Sequence, residues 1–264
     1  MRKIRLWCKV WLPSIWSRRW DRVRMVAKKA TFADHLFKGR RVEREIIILC
    51  VRWYLRFKLS FRDLEEMMAE RGLSLAHTTI TRWVQRLVSA FEKRWNRYAH
   101  ITGRSWRVDE TYVKIRGVWT YLYRAVDRDG KTVDFRLRAR RDVAAAKSFF
   151  RKALKTQGRP PRIITLDGYA ASHRAVRELP EENGLWKDTK LRSSKYHNNI
   201  IEQDHRGVKA RIGPMLGFKR FRRAKVTIAG IELLHCIRKN QFNIGKLSKY
   251  AKITPAIWGA VLTT

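Results

Sequence analysis

The chain has 264 residues, 45% of them hydrophobic, and sets 60 Lys and Arg against 23 Asp and Glu, a formal charge of +37. That length holds one catalytic domain with a sizeable core and one small accessory domain. So large a positive excess repels itself in a compact fold unless a polyanion neutralises it, so nucleic acid is the expected partner, whether of an enzyme or of a ribosomal or chromatin-type structural protein. Three scattered cysteines, Cys8, Cys50 and Cys236, argue against a zinc finger and a disulfide framework, and the longest apolar run, Ile46 to Val51, is far too short to span a membrane.

The first 24 residues stand apart. They hold Trp7, Trp11, Trp16 and Trp20 among many Arg and Lys, without the apolar core of a secretory signal. The spacing suggests an amphipathic helix that would serve as an accessory DNA-binding arm. The preferred reading instead starts the working protein at Met25. A cytoplasmic, nucleoid-associated location in a bacterium follows.

From Arg41 the pattern is helical. Ile46–Phe57 reads as a buried helix. Phe61–Arg71 reads as a second, with Ser60 as N-cap and Gly72 as stop. His77–Trp95 is a third, in which Ile80, Trp83, Val84, Leu87, Val88 and Phe91 recur at helical spacing. Helix, short Gly-containing turn and helix make a helix-turn-helix. The outer face of the third helix would carry Thr78, Thr79, Arg82, Gln85 and Arg86, which suit phosphates and base edges in a major groove.

After Gly103 the periodicity changes. Trp106–Arg116, Trp119–Val126 and Thr132–Leu137 read as strands, with Asp129-Gly130 a hairpin turn. Asp142–Gln157 is an Ala-rich amphipathic helix, Arg162–Leu166 a short strand, and Ser172–Leu179 a helix followed by a loop with Pro180, Asn183 and Gly184. A brief strand is expected near Lys190–Ser193 and a long helix from Asn198. This order fits an α/β, RNase H-like domain, a mixed sheet flanked by helices, among several α/β arrangements.

Acids are scarce, so their placement is informative. Asp109 lies within the first strand, Asp167 ends a buried-looking strand, and Glu202 follows the apolar pair Ile200 and Ile201 on a helix. An acid in an apolar strand is expensive unless it is ion-paired or bound to metal. Converging at one sheet edge, the three would offer hard oxygen ligands for Mg²⁺ or Mn²⁺, as two-metal phosphoryl transfer requires. Lys209, two helical turns beyond Glu202, is placed to hold a DNA phosphate or is a solvated lysine. His173 and His205 sit near the proposed site without a Ser or Cys nucleophile pattern. His205 is read as a helix-surface residue before a DNA contact or a neighbour of the metal. Trp106, Trp119 and Tyr121 are expected in the core.

From about Phe37 to Leu247 the chain resembles transposases of the IS6 insertion-sequence family, the IS26-like group. The segments that carry the resemblance include LCVRWYLRFKLSFRDLEEMMAERGLSLAHTTITRWVQR from Leu49, WRVDETYVKIRG from Trp106, ITLDGYAASHRAV from Ile164 and NNIIEQDHRGVKARIGPMLGFKRF from Asn198. The family's two catalytic Asp residues fall on Asp109, in VDET, and Asp167, in LDG. Its Glu falls on Glu202, in IEQDHR, and its following basic residue on Lys209. The resemblance implies an RNase H-like catalytic domain, a preceding helix-turn-helix, a divalent metal, binding to terminal inverted repeats, and transposition by cointegrate formation.

The expected organisation is a basic extension over 1–40, a helix-turn-helix domain over 41–100, a DDE catalytic domain over 101–247, and a tail over 248–264. The expected partners are double-stranded DNA, as terminal inverted repeats and target, and further copies of the chain, since two DNA ends must be joined. The rivals are a retroviral-type integrase, which normally shows an HHCC zinc module absent here, a non-catalytic helix-turn-helix regulator, which leaves the strand-borne acids unexplained, and a decayed copy, against which the intact triad speaks.

Overall fold

The computed structural model describes residues 36–37, 42–95, 97–194, 199–215, 217–243 and 254–263. Nearly all of the expected N-terminal extension, with its four tryptophans and Met25, lies outside them. No helix among the described residues is long and apolar enough to cross a membrane.

Three helices open the fold: α1 (Arg44–Arg56), α2 (Phe61–Ala69) and α3 (His77–Trp95). A capping box starts α2. The Ser60 hydroxyl accepts from the Arg62 and Asp63 amides, and Asp63 accepts from the Ser60 amide at 2.7 Å, which satisfies donors that a helix start leaves open. Gly72, at φ 74°, lets the chain turn back toward α3. All six apolar positions expected on the inner face of α3 are buried.

A five-stranded sheet follows, in the order β3-β2-β1-β4-β5, from β1 (Ser105–Ile115), β2 (Val118–Asp127), β3 (Thr132–Arg138), β4 (Ile163–Leu166) and β5 (Lys190–Ser193). The first three strands form an antiparallel meander, β4 pairs parallel to β1, and β5 pairs parallel to β4. Helices α4 (Val143–Gln157) and α5 (Ala170–Glu182) intervene, and α6 (Asn199–Ile212) and α7 (Phe221–Arg238) follow. Three antiparallel strands joined to two parallel ones by crossover helices make an RNase H-like fold. The loop expected at Pro180 is instead the last turn of α5, which runs on to Glu182. A proline there removes only one backbone donor, close to the helix end.

Side-chain alternation splits β1 between two cores. Trp106 and Val108 face α4 and α5 in one core, with Phe149, Phe150 and Ala175; Val113 and Ile115 face α6 and α7 in the other, with Val208 and Ile228. Helix α7 also packs against α1 and α3, so Ala229, Ile231, Leu233 and Leu234 join the helical core. The segment expected as a tail carries α8 (Thr254–Thr263), whose Trp258 stacks on Phe91 with ring centroids 4.3 Å apart.

Candidate active site

Strand pairing gathers the acids. The β1–β4 register ends at Val108 opposite Leu166; Asp109 is the next residue of β1, and Asp167 is the first residue after β4. Both carboxylates therefore emerge where the parallel ladder stops, and one ligand oxygen each from Asp109, Asp167 and Glu110 lies within 4.8 Å of the others. Hard carboxylate oxygens are the donors that Mg²⁺ and Mn²⁺ prefer, so the set fits a divalent metal of that kind.

Each acid is held differently. Asp109 accepts from the Glu110 amide at 2.8 Å, and its other oxygen lies 3.3 Å from His205 Nε2 on α6. That imidazole is buried and close enough to pair, although it lacks the alignment of a hydrogen bond. The expectation of a helix-surface His205 is thus corrected, because the sheet-facing side of α6 carries it. Asp167 accepts from the Tyr169 amide at 3.2 Å, and its backbone carbonyl lies 2.6 Å from His173 Nε2, which must carry the proton there.

Glu110 went unnoticed in the sequence because Asp109 stands beside it. It accepts from the Ser172 hydroxyl and from Arg141 Nη2 at 3.1 Å. Burial raises its carboxyl above the usual range, against the pull of Ser172 and Arg141. Arg141 also lies 3.9 Å from Asp167, and its guanidinium sits 3.5 Å over the Tyr169 ring, whose hydroxyl donates to the Arg141 carbonyl at 2.7 Å. A planar cation locked this way fixes the spacing of Glu110 and Asp167. Nothing in the local sequence marks Arg141, which reaches the site from the loop before α4.

Glu202 lies in the first turn of α6 and is exposed, outside the three-acid group. Helical spacing sets it one turn before His205 on the same side of α6. Lys209 is exposed two turns on. Behind them lies a buried charge network. Arg124, fully buried on β2, pairs with Asp204 of α6 and Glu232 of α7, both at 2.6 Å, and Lys239 reaches Asp204 at 2.6 Å. Burial alone would raise the Asp204 carboxyl, but His235, Arg124 and Lys239 together hold it below the usual carboxylate range.

On α3, Thr78, Arg82 and Arg86 are exposed while Thr79 and Gln85 are half-buried. The Gln85 amide donates to the Arg223 carbonyl of α7 at 3.4 Å. Trp106 is buried as expected, whereas Trp119 is 55% exposed, a correction to its expected place in the core. It lies near the hairpin tip, beyond the cover of α4 and α5. Burial pushes the Cys50 thiol up to about 11 and that of Cys236 up to about 12, so neither offers a thiolate nucleophile at neutral pH.

Residues 103–241, which contain the whole sheet and its acids, match the DDE domain family. Over 203 residues, 77% of this chain and 88% of the relative, the chain is 37% identical to the transposase for insertion sequence-like element IS431mec of Staphylococcus aureus. It is 36% identical over the same share to the transposase for insertion sequence element IS257 in transposon Tn4003 of that species. Among solved structures it is similar to the catalytic core domain of BIV integrase, with a TM-score of 0.38, 16% identity, and coverage of 50% of this chain and 83% of that one. Carboxylates at the end of a parallel ladder, inside a matched DDE domain and with transposase relatives along most of their length, are those of a polynucleotidyl transferase that works with a divalent metal on DNA; the chain belongs to the IS6 family of insertion-sequence transposases.

Proposed function

We propose that this transposase binds the terminal inverted repeats of its element, cleaves them and joins them to target DNA in a cointegrate-forming reaction, with Asp109, Asp167 and Glu202 holding Mg²⁺ or Mn²⁺. The observation that carries this reading is the emergence of Asp109 and Asp167 side by side after the last β1–β4 pair. Glu110 is already taken up by Ser172 and Arg141, which leaves Glu202 to complete the ligand set from the helix that brings His205 to Asp109. When bound, the cations supply charge stabilisation for the attacking and leaving oxygens of an in-line displacement.

The chain's own residues do the rest. Arg141 and Tyr169 hold Asp167 in place, His205 braces Asp109, and Lys209 holds a DNA phosphate. Water attacks the phosphodiester at each 3′ end of the element, and the bond to the flanking strand breaks. The freed 3′-hydroxyl then attacks a phosphodiester of the target and displaces one of its 3′-oxygens. Residues 41–100 recognise the ends through Thr78, Thr79, Arg82, Gln85 and Arg86. Two ends need two active sites, so the working species is a homo-oligomer at the bacterial nucleoid.

The test is a nicking assay with purified protein and repeat-end DNA. Metal-dependent nicks at the 3′ ends support the reading. Tight, specific binding with no nicking in Mg²⁺ or Mn²⁺ would favour a non-catalytic regulator.

A further inference from the structure

Beyond Val108, the edge of β1 that paired with β4 is released, and a groove of about 1230 Å³ opens between Thr111–Gly117 and the segment from Val208 to Lys219. Its lining includes Lys114, Arg116, Lys209 and Lys219, all exposed, and no acid among the described residues. None of the four has a carboxylate partner among the described residues, whereas Lys147, Lys152 and Arg151 elsewhere on the domain do. Trp119 is 55% exposed and Tyr112 is 49% exposed, with ring centroids 6.0 Å apart, and Lys114 Nζ sits 5.5 Å from the Trp119 ring.

The hairpin tip is shaped to keep this wall in place. Arg116 and Gly117 both have positive φ, 53° and 80°, as a two-residue β1–β2 turn of type I′ requires. A non-glycine residue in that region is strained, and the Arg116 amide is held by the Phe218 carbonyl at 2.8 Å. The tip therefore presents a long cation where a glycine or asparagine would fit more easily.

The groove shares both of its walls with the acids. Lys114 lies along β1 from Asp109 by roughly 16 Å at the rise of a strand, and Lys209 lies along α6 from Glu202 by roughly 10 Å at the rise of a helix. Cations without carboxylate partners on both walls and exposed rings beside them match the chemistry of a nucleic acid single strand, whose phosphates need charge and whose bases need a stacking surface. A solvated basic face has no reason to expose Trp119 among its lysines, and an apolar interface has no reason to line itself with four unpaired cations.

We propose that this groove binds a single-stranded segment of DNA leading away from the reacting phosphate, with phosphates along Lys114, Arg116, Lys209 and Lys219 and an unpaired base stacked on Trp119. This rests on the reading of the neighbouring acids as the transfer site. It adds that the strand leaves the duplex on this side.

The test measures binding of a short oligodeoxythymidylate by the full-length protein over a range of salt, beside nicking of repeat-end DNA. Trp119→Ala should weaken oligonucleotide binding about tenfold with the salt slope unchanged, because stacking is largely insensitive to salt. Lys114→Ala with Lys219→Ala should lower the slope by about 1.4, since each single-strand phosphate deprived of its cation takes away about 0.7. Trp119→Phe keeps a ring and should keep most of the affinity. Equal binding by Trp119→Ala and the parent overturns the proposal. So does a fall in oligomeric state with Trp119→Ala in sedimentation, which would make the patch a contact between copies. Trp119-dependent binding without any nicking would uphold the groove and sink the transfer reading instead.

Discussion

Asp109 and Arg124 face each other across the β1–β2 ladder, and consecutive residues of α6 reach for them: Asp204 pairs with Arg124 at 2.6 Å and His205 lies 3.3 Å from Asp109. One turn of α6 is thus pinned to the sheet where Asp109 stands, and Glu202 sits one turn before it. Removing one member of a buried pair costs about 3–5 kcal/mol when it leaves the other charge uncompensated. Arg124 keeps Glu232, so Asp204→Asn should destabilise the protein by less than that, read as a lower urea midpoint at neutral pH. It should also lower nicking by the folded fraction, because α6 loses its anchor. A variant as stable as the parent would show that the network does not hold α6.

The same network sets the response to acid. Because the folded protein holds the Asp204 carboxyl below the usual carboxylate range, its contribution is full above an ordinary carboxylate pKa of about 3.9 and is lost as pH falls further. Glu110 works in the opposite sense. Burial raises its carboxyl, so its contribution is full at low pH and shrinks as pH climbs through the raised value. The parent should lose more stability below about pH 4 than Asp204→Asn does, measured as the difference in urea midpoints at acid and neutral pH. Parallel losses in the two proteins would place the acid-sensitive group elsewhere.

Substitution can separate the two glutamates. Asp109→Asn, Asp167→Asn and Glu202→Gln each remove a ligand's charge and little shape, so each should abolish nicking while leaving repeat binding nearly intact. Glu110→Gln keeps its hydrogen-bonding reach to Ser172 and Arg141 and should retain measurable nicking. Full nicking by Glu202→Gln with none by Glu110→Gln would make Glu110 the third ligand.

The elements of the catalytic domain were legible because their periods are clean. Runs rich in Val, Tyr and Thr write β1 and β2, and the Asp142 and Gly158 caps bracket α4. Asp109 and Asp167 stood out as acids in apolar strands, and pairing brought them together. Arg141 did not stand out, because its role depends on a loop meeting two distant acids. Helix α7 gave no signal as an amphipathic helix: it is buried against the sheet on one side and against α1 and α3 on another, so no single apolar stripe remains. Trp119 looked like core because a strand tryptophan usually is. Its exposure follows from where α4 and α5 stop, which composition does not encode.

Repeat binding should be dominated by phosphate contacts. With at least roughly six contacts, log K should fall against log salt with a slope of about −5 or steeper. Arg82→Ala and Arg86→Ala should weaken specific binding, since both side chains are exposed on α3. Lys209→Ala should reduce strand transfer more than it reduces metal binding. Unchanged transfer by Lys209→Ala would return that residue to a solvated surface, and a nearly flat salt dependence would contradict a phosphate-dominated interface.

Gly230 tests how the helical core is joined to the sheet. It lies in the middle of α7, where a Cβ would stand 2.8 Å from both Leu55 methyl carbons of α1 and 2.9 Å from Val88 Cγ2 of α3. Both neighbours are fully or nearly fully buried, so neither can swing away cheaply. Alanine is otherwise the better helix former, by about 1 kcal/mol. If α7 were free of α1 and α3, Gly230→Ala would therefore stabilise the protein. Overpacking of this kind costs about 1–3 kcal/mol. The net effect of Gly230→Ala should be a loss of up to about 2 kcal/mol. The loosened packing should expose α1 and α3 to hydrogen exchange ahead of the β1–β2 ladder. Leu55→Ala removes the obstructing methyls and should return part of the loss in the double variant, a coupling read from a double-mutant cycle. A Gly230→Ala protein more stable than the parent would mean that α7 does not hold the two cores as closely as its packing requires.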